Sequence, residues 1–161
     1  MQPVAIVGNY AATRIFAPFD KMEIEIWALN AHPMSVKNYP RVDLNIQIHT
    51  QRVLDARYKH HQEWLKQTRI PALMCKKFEA FTTSIPYPFE QVFDLVSNVT
   101  QGMFQQKPLK FLTFSIDYAL AYAILQKRPK IFIYGVDLIQ KNTWITGPVS
   151  AFGWVLQPGA G

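Results

Sequence analysis

Residues 110–137 read KFLTFSIDYALAYAILQKRPKIFIYGVD, and the fold class turns on them. Ser115 is placed to cap a helix, and Ile116, Ala119, Leu120, Ala123 and Ile124 recur at the spacing of one apolar helical face. Lys127 and Arg128 complement the negative end of that helix, and Pro129 stops it. Lys130 to Tyr134 (KIFIY) then reads as a strand, and Gly135 turns the chain. A helix that breaks sharply into a short buried strand is the repeating unit of a parallel sheet, whose crossovers need such helices.

Working outward, the same grammar recurs. Pro3 to Val7 (PVAIV) is continuously apolar and stops at Gly8, as a strand buried on both faces would. EIEIWAL over residues 23–29 alternates and then turns wholly apolar, predicting a strand that enters from the surface and ends inside at Leu29 or Asn30. Leu44 to Ile48 is a third strand, closing on His49, and residues 31–40, with two prolines and no period, predict an irregular connection before it. RVLDARYKHHQEWLKQ (52–67) carries no Gly or Pro and puts Leu54, Tyr58, His61 and Leu65 on one face, so one helix is expected there, with Thr50 as its cap. IPALM (70–74) reads as a further strand. SIPYPFEQVFDLV becomes helical from about Phe89, with Pro88 in its first turn, and residues 97–110 read as a loop. The alternation predicts an α/β sandwich with a mainly parallel sheet over residues 1–142, and a C-terminal tail over 143–161 rich in aromatics, Gly and Pro. In that tail Trp144, Phe152 and Trp154 call for burial.

The 161 residues suffice for one core. With 49% hydrophobic and 17% charged residues the chain is too apolar to be disordered, and no apolar run approaches the roughly 18–20 residues of a membrane span. Seventeen Lys and Arg against eleven Asp and Glu give +6, which favours an anionic partner. The single cysteine, Cys75, has no internal disulfide partner, and MQPVAIVGNY lacks the basic and long apolar segments of a secretory leader, so a cytoplasmic setting is expected. Cys75 itself reads as a small apolar residue at a strand end.

Ligands of open parallel sheets bind beyond the carboxyl ends of the strands. Reading off those positions gives Gly8, Asn9 and Tyr10, then Asn30, His49 and Asp137. Gly8-Asn9 is either a phosphate loop, with Arg14 supplying charge, or a simple turn. Neither a dinucleotide-fold nor a P-loop glycine pattern is present, and Asn30 stands where an NAD fold would place an acidic residue, so nicotinamide chemistry is not expected. Thr113 and Ser115 at the entry to the late helix favour hydroxyls or a base over a phosphate, because Asp117 already places a carboxylate in the first turn. His49 is the histidine placed for hydrogen bonding or acid–base work, or for a structural contact at the sheet edge. His32, His49, His60 and His61 show no metal-ligand spacing, so no metal and no resident cofactor is expected.

The order VAIVGNY, EIWALN, PRVDLNIQIH, HHQEWLKQTRIPALM, SIPYPFEQVF and FLTFSIDYALAYAI followed by IFIYGVD resembles a group of small phage-type proteins. More distantly it is similar to the Rossmann-like family that includes bacterial sialyltransferases and archaeal pterin diphosphokinase-like proteins. The resemblance covers roughly residues 3–140 and implies a Rossmann-like three-layer sandwich with a nucleotide pocket at Gly8, Asn9, Asn30, Ser115 and Gly135-Val136-Asp137. Where sialyltransferase-like members carry a Gly-x-Gly-Pro-Ser type loop, this chain has Gly8-Asn9-Tyr10-Ala11-Ala12-Thr13.

Three functions follow as expectations. The first is binding of a small nucleotide or nucleotide-derived anion, as in a phage protein that sequesters a host signalling nucleotide. The second is a compact glycosyltransferase or phosphotransferase with His49 or Asp137 as base. The third is a phage structural or protein-interaction module using the aromatic tail. An extended nucleic acid is not expected, because no interleaved aromatic and basic stripe exists, nor is a membrane; a homo-oligomer is.

Overall fold

A computed structural model describes residues 1–35, 37–57, 59–100, 112, 114–136 and 155–156. The strands are β1 (Val4–Val7), β2 (Glu25–Leu29), β3 (Leu44–Gln47), β4 (Ala72–Met74), β5 (Ser84–Pro86), β6 (Ile131–Tyr134) and β7 (Val155–Leu156). The helices are α1 (Ala11–Arg14), α2 (Gln51–Arg57), α3 (Lys59–Gln67), α4 (Phe89–Thr100) and α5 (Ser115–Leu125). All strands lie in one sheet of order β5-β4-β3-β2-β1-β6-β7. The pairings from β5 through to β6 are parallel, and β7 pairs antiparallel with β6. The chain is therefore an α/β, Rossmann-like three-layer sandwich with a mainly parallel sheet. Among the described residues no helix is long and apolar enough to cross a membrane.

The continuous apolar runs are explained by burial on both faces. All of β1 is buried: Val4 and Ile6 pack with Trp27, Leu29, Ile46 and Leu73 under α4 and α5, while Ala5 and Val7 face the other way with Ile26 and Ala28. Each such aliphatic side chain contributes about 1.5–3 kcal/mol of burial. On the second face, Leu54 of α2 and Leu65 of α3 cover Ala72 and Met74 of β4. Among the described residues, two crossovers on this sheet hold no α-helix. Residues 30–43 hold a short 3-10 turn, His32–Met34, and residues 75–83 hold no helix, so aromatic plugs cover the sheet there. Tyr39 fills the first gap and Phe78 and Phe81 the second.

Of the helix expected over 52–67 the described residues are helical, as α2 and α3 either side of residue 58, with Leu54, His61 and Leu65 buried as the period requires. Several expectations are corrected. Residues 97–100 belong to α4, since the stripe Phe89, Val92, Phe93 and Val96 packs on the core and carries the polar last turn with it. The N-cap of α5 is Phe114, in extended conformation, and not Ser115; Asp117 Oδ2 accepts from the Phe114 N–H at 2.8 Å. Ile124 is half exposed while Ala121 is buried, because α5 is covered by α4 as well as by the sheet. Arg128 does not serve the helix end. It forms a bidentate pair with Glu25 at 2.6 and 2.8 Å and lies over the Trp27 ring. The helix closes instead through backbone: Lys127 adopts φ 51°, and the amides of Lys127 and Arg128 donate to the carbonyls of Ile124 and Ala123. Of the tail expected over 143–161, Val155 and Leu156 are described, as β7 beside β6; Trp144, Phe152 and Trp154 lie outside the described residues.

Candidate functional site

The strand order reverses at β1. Its successor β2 lies on one side, and β6, reached only after the chain has run out to β5, lies on the other. Crevices of this kind, beyond the strands' carboxyl ends, are where doubly wound folds take ligands. Here the crevice is floored by two glycines. A Cβ on Gly8 would run into the carbonyl oxygen of Gly135, and one on Gly135, whose φ is +63°, into that of Gly8. The two chain segments are also laced together. Gly8 N–H donates to Tyr134 O at 2.8 Å, Tyr10 N–H to Gly135 O at 2.7 Å, and Gly135 N–H to Thr13 Oγ1 at 3.0 Å. Gly8 thus serves a close chain approach, and its own amide and that of Tyr10 are engaged by carbonyls.

The charge in the crevice comes from Arg14. At 8% exposure it is buried, and Nη1 donates to both the backbone and side-chain oxygens of Asn9 at 2.8 Å. Its guanidinium carbon stands 5.5 Å from the centroid of Tyr39. Tyr39 in turn donates its hydroxyl to Gly8 O at 2.5 Å. Burial pushes the Tyr39 phenol up to about 12, against the opposing pull of Arg14, so it remains a donor at neutral pH. Among the described residues Arg14 has no carboxylate partner; the ion pairs there join Lys21 to Asp20, Arg41 to Asp43, Lys66 to Glu63 and Arg128 to Glu25. Tyr10, 47% exposed, flanks the same loop.

One strand over, Asn30 takes the left-handed conformation with φ 54°, which asparagine tolerates better than most residues. Its backbone carbonyl accepts from Asn45 Nδ2 at 2.7 Å, and its side-chain Oδ1 accepts from Ser115 Oγ at 2.9 Å. The structure therefore joins Asn30 to Ser115, residues 85 positions apart. Asp117 is tied to the local cap described above. Thr113 and Asp137 lie outside the described residues.

At the end of β3, His49 is half-buried, and its Nδ1 is hydrogen-bonded to Oε1 of Gln47. Gln47 Nε2 contacts His61 Nδ1 of α3 at 2.8 Å. Both Gln47 and His61 are buried. Burial also raises the Cys75 thiol, which donates weakly to His49 O, so Cys75 is no ready nucleophile. Parallel neighbours stand about 4.8 Å apart, which puts the ends of β1 and β3 roughly 10 Å apart across β2. Among the described residues no group of three His, Cys, Asp or Glu side chains could hold a metal ion.

The residues that sequence reading passed over are Tyr39, Asn45 and Gln47, together with the pairing of His61, which it placed only on a helix face. Asn45 and Gln47 alternate along LNIQ as a strand with one polar face would, and that pattern suggests solvent. Both are fully buried instead, and they hold the two carboxyl-end residues Asn30 and His49. Comparison with protein-family models, with curated proteins and with solved structures finds no match to this chain.

Proposed function

We propose that the domain binds a small nucleotide or nucleotide-derived anion in the crevice between β1 and β6. The observation that carries this reading is Arg14. A guanidinium taken out of water without a counter-charge is costly, and proteins seldom keep one unless something negative completes it. Among the described residues Arg14 meets the neutral oxygens of Asn9, through Nη1, and the neutral Tyr39 hydroxyl, so a phosphate held by the planar fork would supply the negative charge these partners lack. Tyr10, half-exposed in the same loop, offers an aromatic side chain for stacking, and the Asn30–Ser115 pair at the next strand's end offers donors and acceptors for ribose or base. The resemblance to small phage-type proteins extends the reading to capture of a host signalling nucleotide. Calorimetric titration with mono-, di- and cyclic nucleotides and ADP-ribose derivatives tests it; saturable binding that is lost in Arg14→Met supports it, and silence across the panel sinks it.

A second reading, a compact glycosyltransferase or phosphotransferase, is favoured by one feature, the holding of His49 by Gln47. Chromatography of a nucleotide-sugar after incubation would show release of free nucleotide, abolished in His49→Ala. Intact nucleotide-sugar at the end of the incubation would remove this reading and leave the first standing.

A further inference from the structure

The middle of a parallel sheet is an expensive place for amides. On the face of β3 that α3 covers, the neighbouring strands present Ile26 and Ala28 on one side and Ala72 and Met74 on the other, all buried. Between them β3 presents Asn45 and Gln47, both 0% exposed. Apolar residues at these positions would avoid the desolvation of two amides. Asn45 is accounted for by the loop it ties down at Asn30. Gln47 ties down no backbone; it stands between two imidazoles.

With the Gln47 amide placed so that Oε1 faces His49 and Nε2 faces His61, the donor and acceptor roles along this chain follow. Gln47 Oε1 only accepts, so the His49 Nδ1 that bonds it carries a proton. Gln47 Nε2 only donates, so the His61 Nδ1 facing it is bare, and neutral His61 carries its proton on Nε2. His61 is 1% exposed and stacked on Trp64 at 5.5 Å, so its ring is held against the amide. With the amide so placed, neutral His49 has its lone pair on Nε2, the reverse of the tautomer that a free imidazole side chain prefers.

We propose that Gln47, braced by His61, locks His49 as the Nδ1–H tautomer, so that Nε2 is the hydrogen-bond-accepting atom at the carboxyl end of β3. The group that pairs with Nε2 is then an O–H or N–H donor. Gln47 and His61 are then positioning residues that act through His49. This goes beyond the anion reading and does not depend on it, because it concerns a different strand end and needs no bound ligand for its test.

The test is a long-range proton–nitrogen correlation spectrum of the uniformly nitrogen-15-labelled full chain, recorded at mildly alkaline pH where imidazoles are neutral. The expected result is a His49 with protonated Nδ1 and bare Nε2, and a His61 with the opposite pattern. Gln47→Leu should return His49 to a population dominated by Nε2–H, whereas Gln47→Glu, which keeps an acceptor facing His49, should preserve Nδ1–H. A wild-type His49 protonated on Nε2 overturns the proposal, and so does a tautomer that does not change in Gln47→Leu. His61→Phe provides a second perturbation should Gln47→Leu fail to fold, and it must likewise weaken the Nδ1–H preference. Arg14→Met must leave the His49 pattern unchanged, so the failure of either reading is visible without the other.

Discussion

Replacing Gly8 by alanine is the sharpest structural perturbation of the crevice. The added methyl meets the Gly135 carbonyl group and also comes 3.1 Å from Val136 Cγ2, so the groups it displaces include backbone that cannot rotate away. Overpacking of this kind costs about 1–3 kcal/mol. Parting the two segments also stretches the Gly8 N–H to Tyr134 O and Tyr10 N–H to Gly135 O bonds, each worth about 1 kcal/mol. The sum is a loss of roughly 3–5 kcal/mol, and at roughly 2–4 °C per kcal/mol the melting temperature falls by roughly 6–20 °C. Gly135→Ala should be worse, because its φ of +63° adds about 1–2 kcal/mol of left-handed strain to the same collision. Urea denaturation followed by far-ultraviolet circular dichroism gives both free energies. A loss at Gly8 no larger than the roughly 0.5 kcal/mol of an ordinary surface substitution would refute the close approach of β1 and β6 on which the crevice rests.

Three further outcomes are expected. Arg128→Met removes the bidentate partner of Glu25 and the cation over Trp27; with side-chain exposures of 12% and 28% for Arg128 and Glu25, the loss should be roughly 1–3 kcal/mol by urea denaturation, and Glu25→Gln in the same background should add little more. Phe81→Ala empties the plug beneath the β4–β5 crossover and should cost about 3–5 kcal/mol, with the β5 amides losing hydrogen-exchange protection before those of β1. Stability should also fall in alkali. The Tyr39 phenol is held at about 12 against an ordinary 10.0, so the native state retains a proton the unfolded chain releases; the stability present below about pH 10 is lost as pH rises towards 12, and Tyr39→Phe should remove its share of that limb, the rest staying with Tyr87, Tyr118, Tyr122 and Tyr134, whose phenols burial also raises.

Much of this architecture is legible in the sequence, and for a physical reason. Strands rich in buried aliphatic residues are apolar runs, so VAIV, EIWAL, ALM and IFIY announce themselves, and the breaks after them mark the carboxyl ends where Gly8, Asn30, Cys75 and Gly135 stand. Short and peripheral elements escape. The four-residue α1 has no period to read, and β5 is three residues of which only Ser84 is buried, with a proline among them. Long-range pairings escape as well: nothing local shows that Tyr39 will reach Gly8 31 residues away, or that Arg128 will cross 103 residues to Glu25. The polar alternation in LNIQ misleads, because period two states which residues share a face and not which face meets solvent. Arg14 is visible as a charge near the first glycine, but its burial and its neutral surroundings appear only in three dimensions.

The proposed anion site at Arg14 in the β1–β6 crevice stands or falls on binding. Its most direct measurement is isothermal titration of the wild-type chain and of Arg14→Met with the nucleotide panel at low and high salt. The account predicts saturable binding by the wild type, weakening as salt rises, and loss of that binding in Arg14→Met without loss of fold. Undiminished affinity in a folded Arg14→Met, or no heat from any member of the panel with folded wild type, would contradict it.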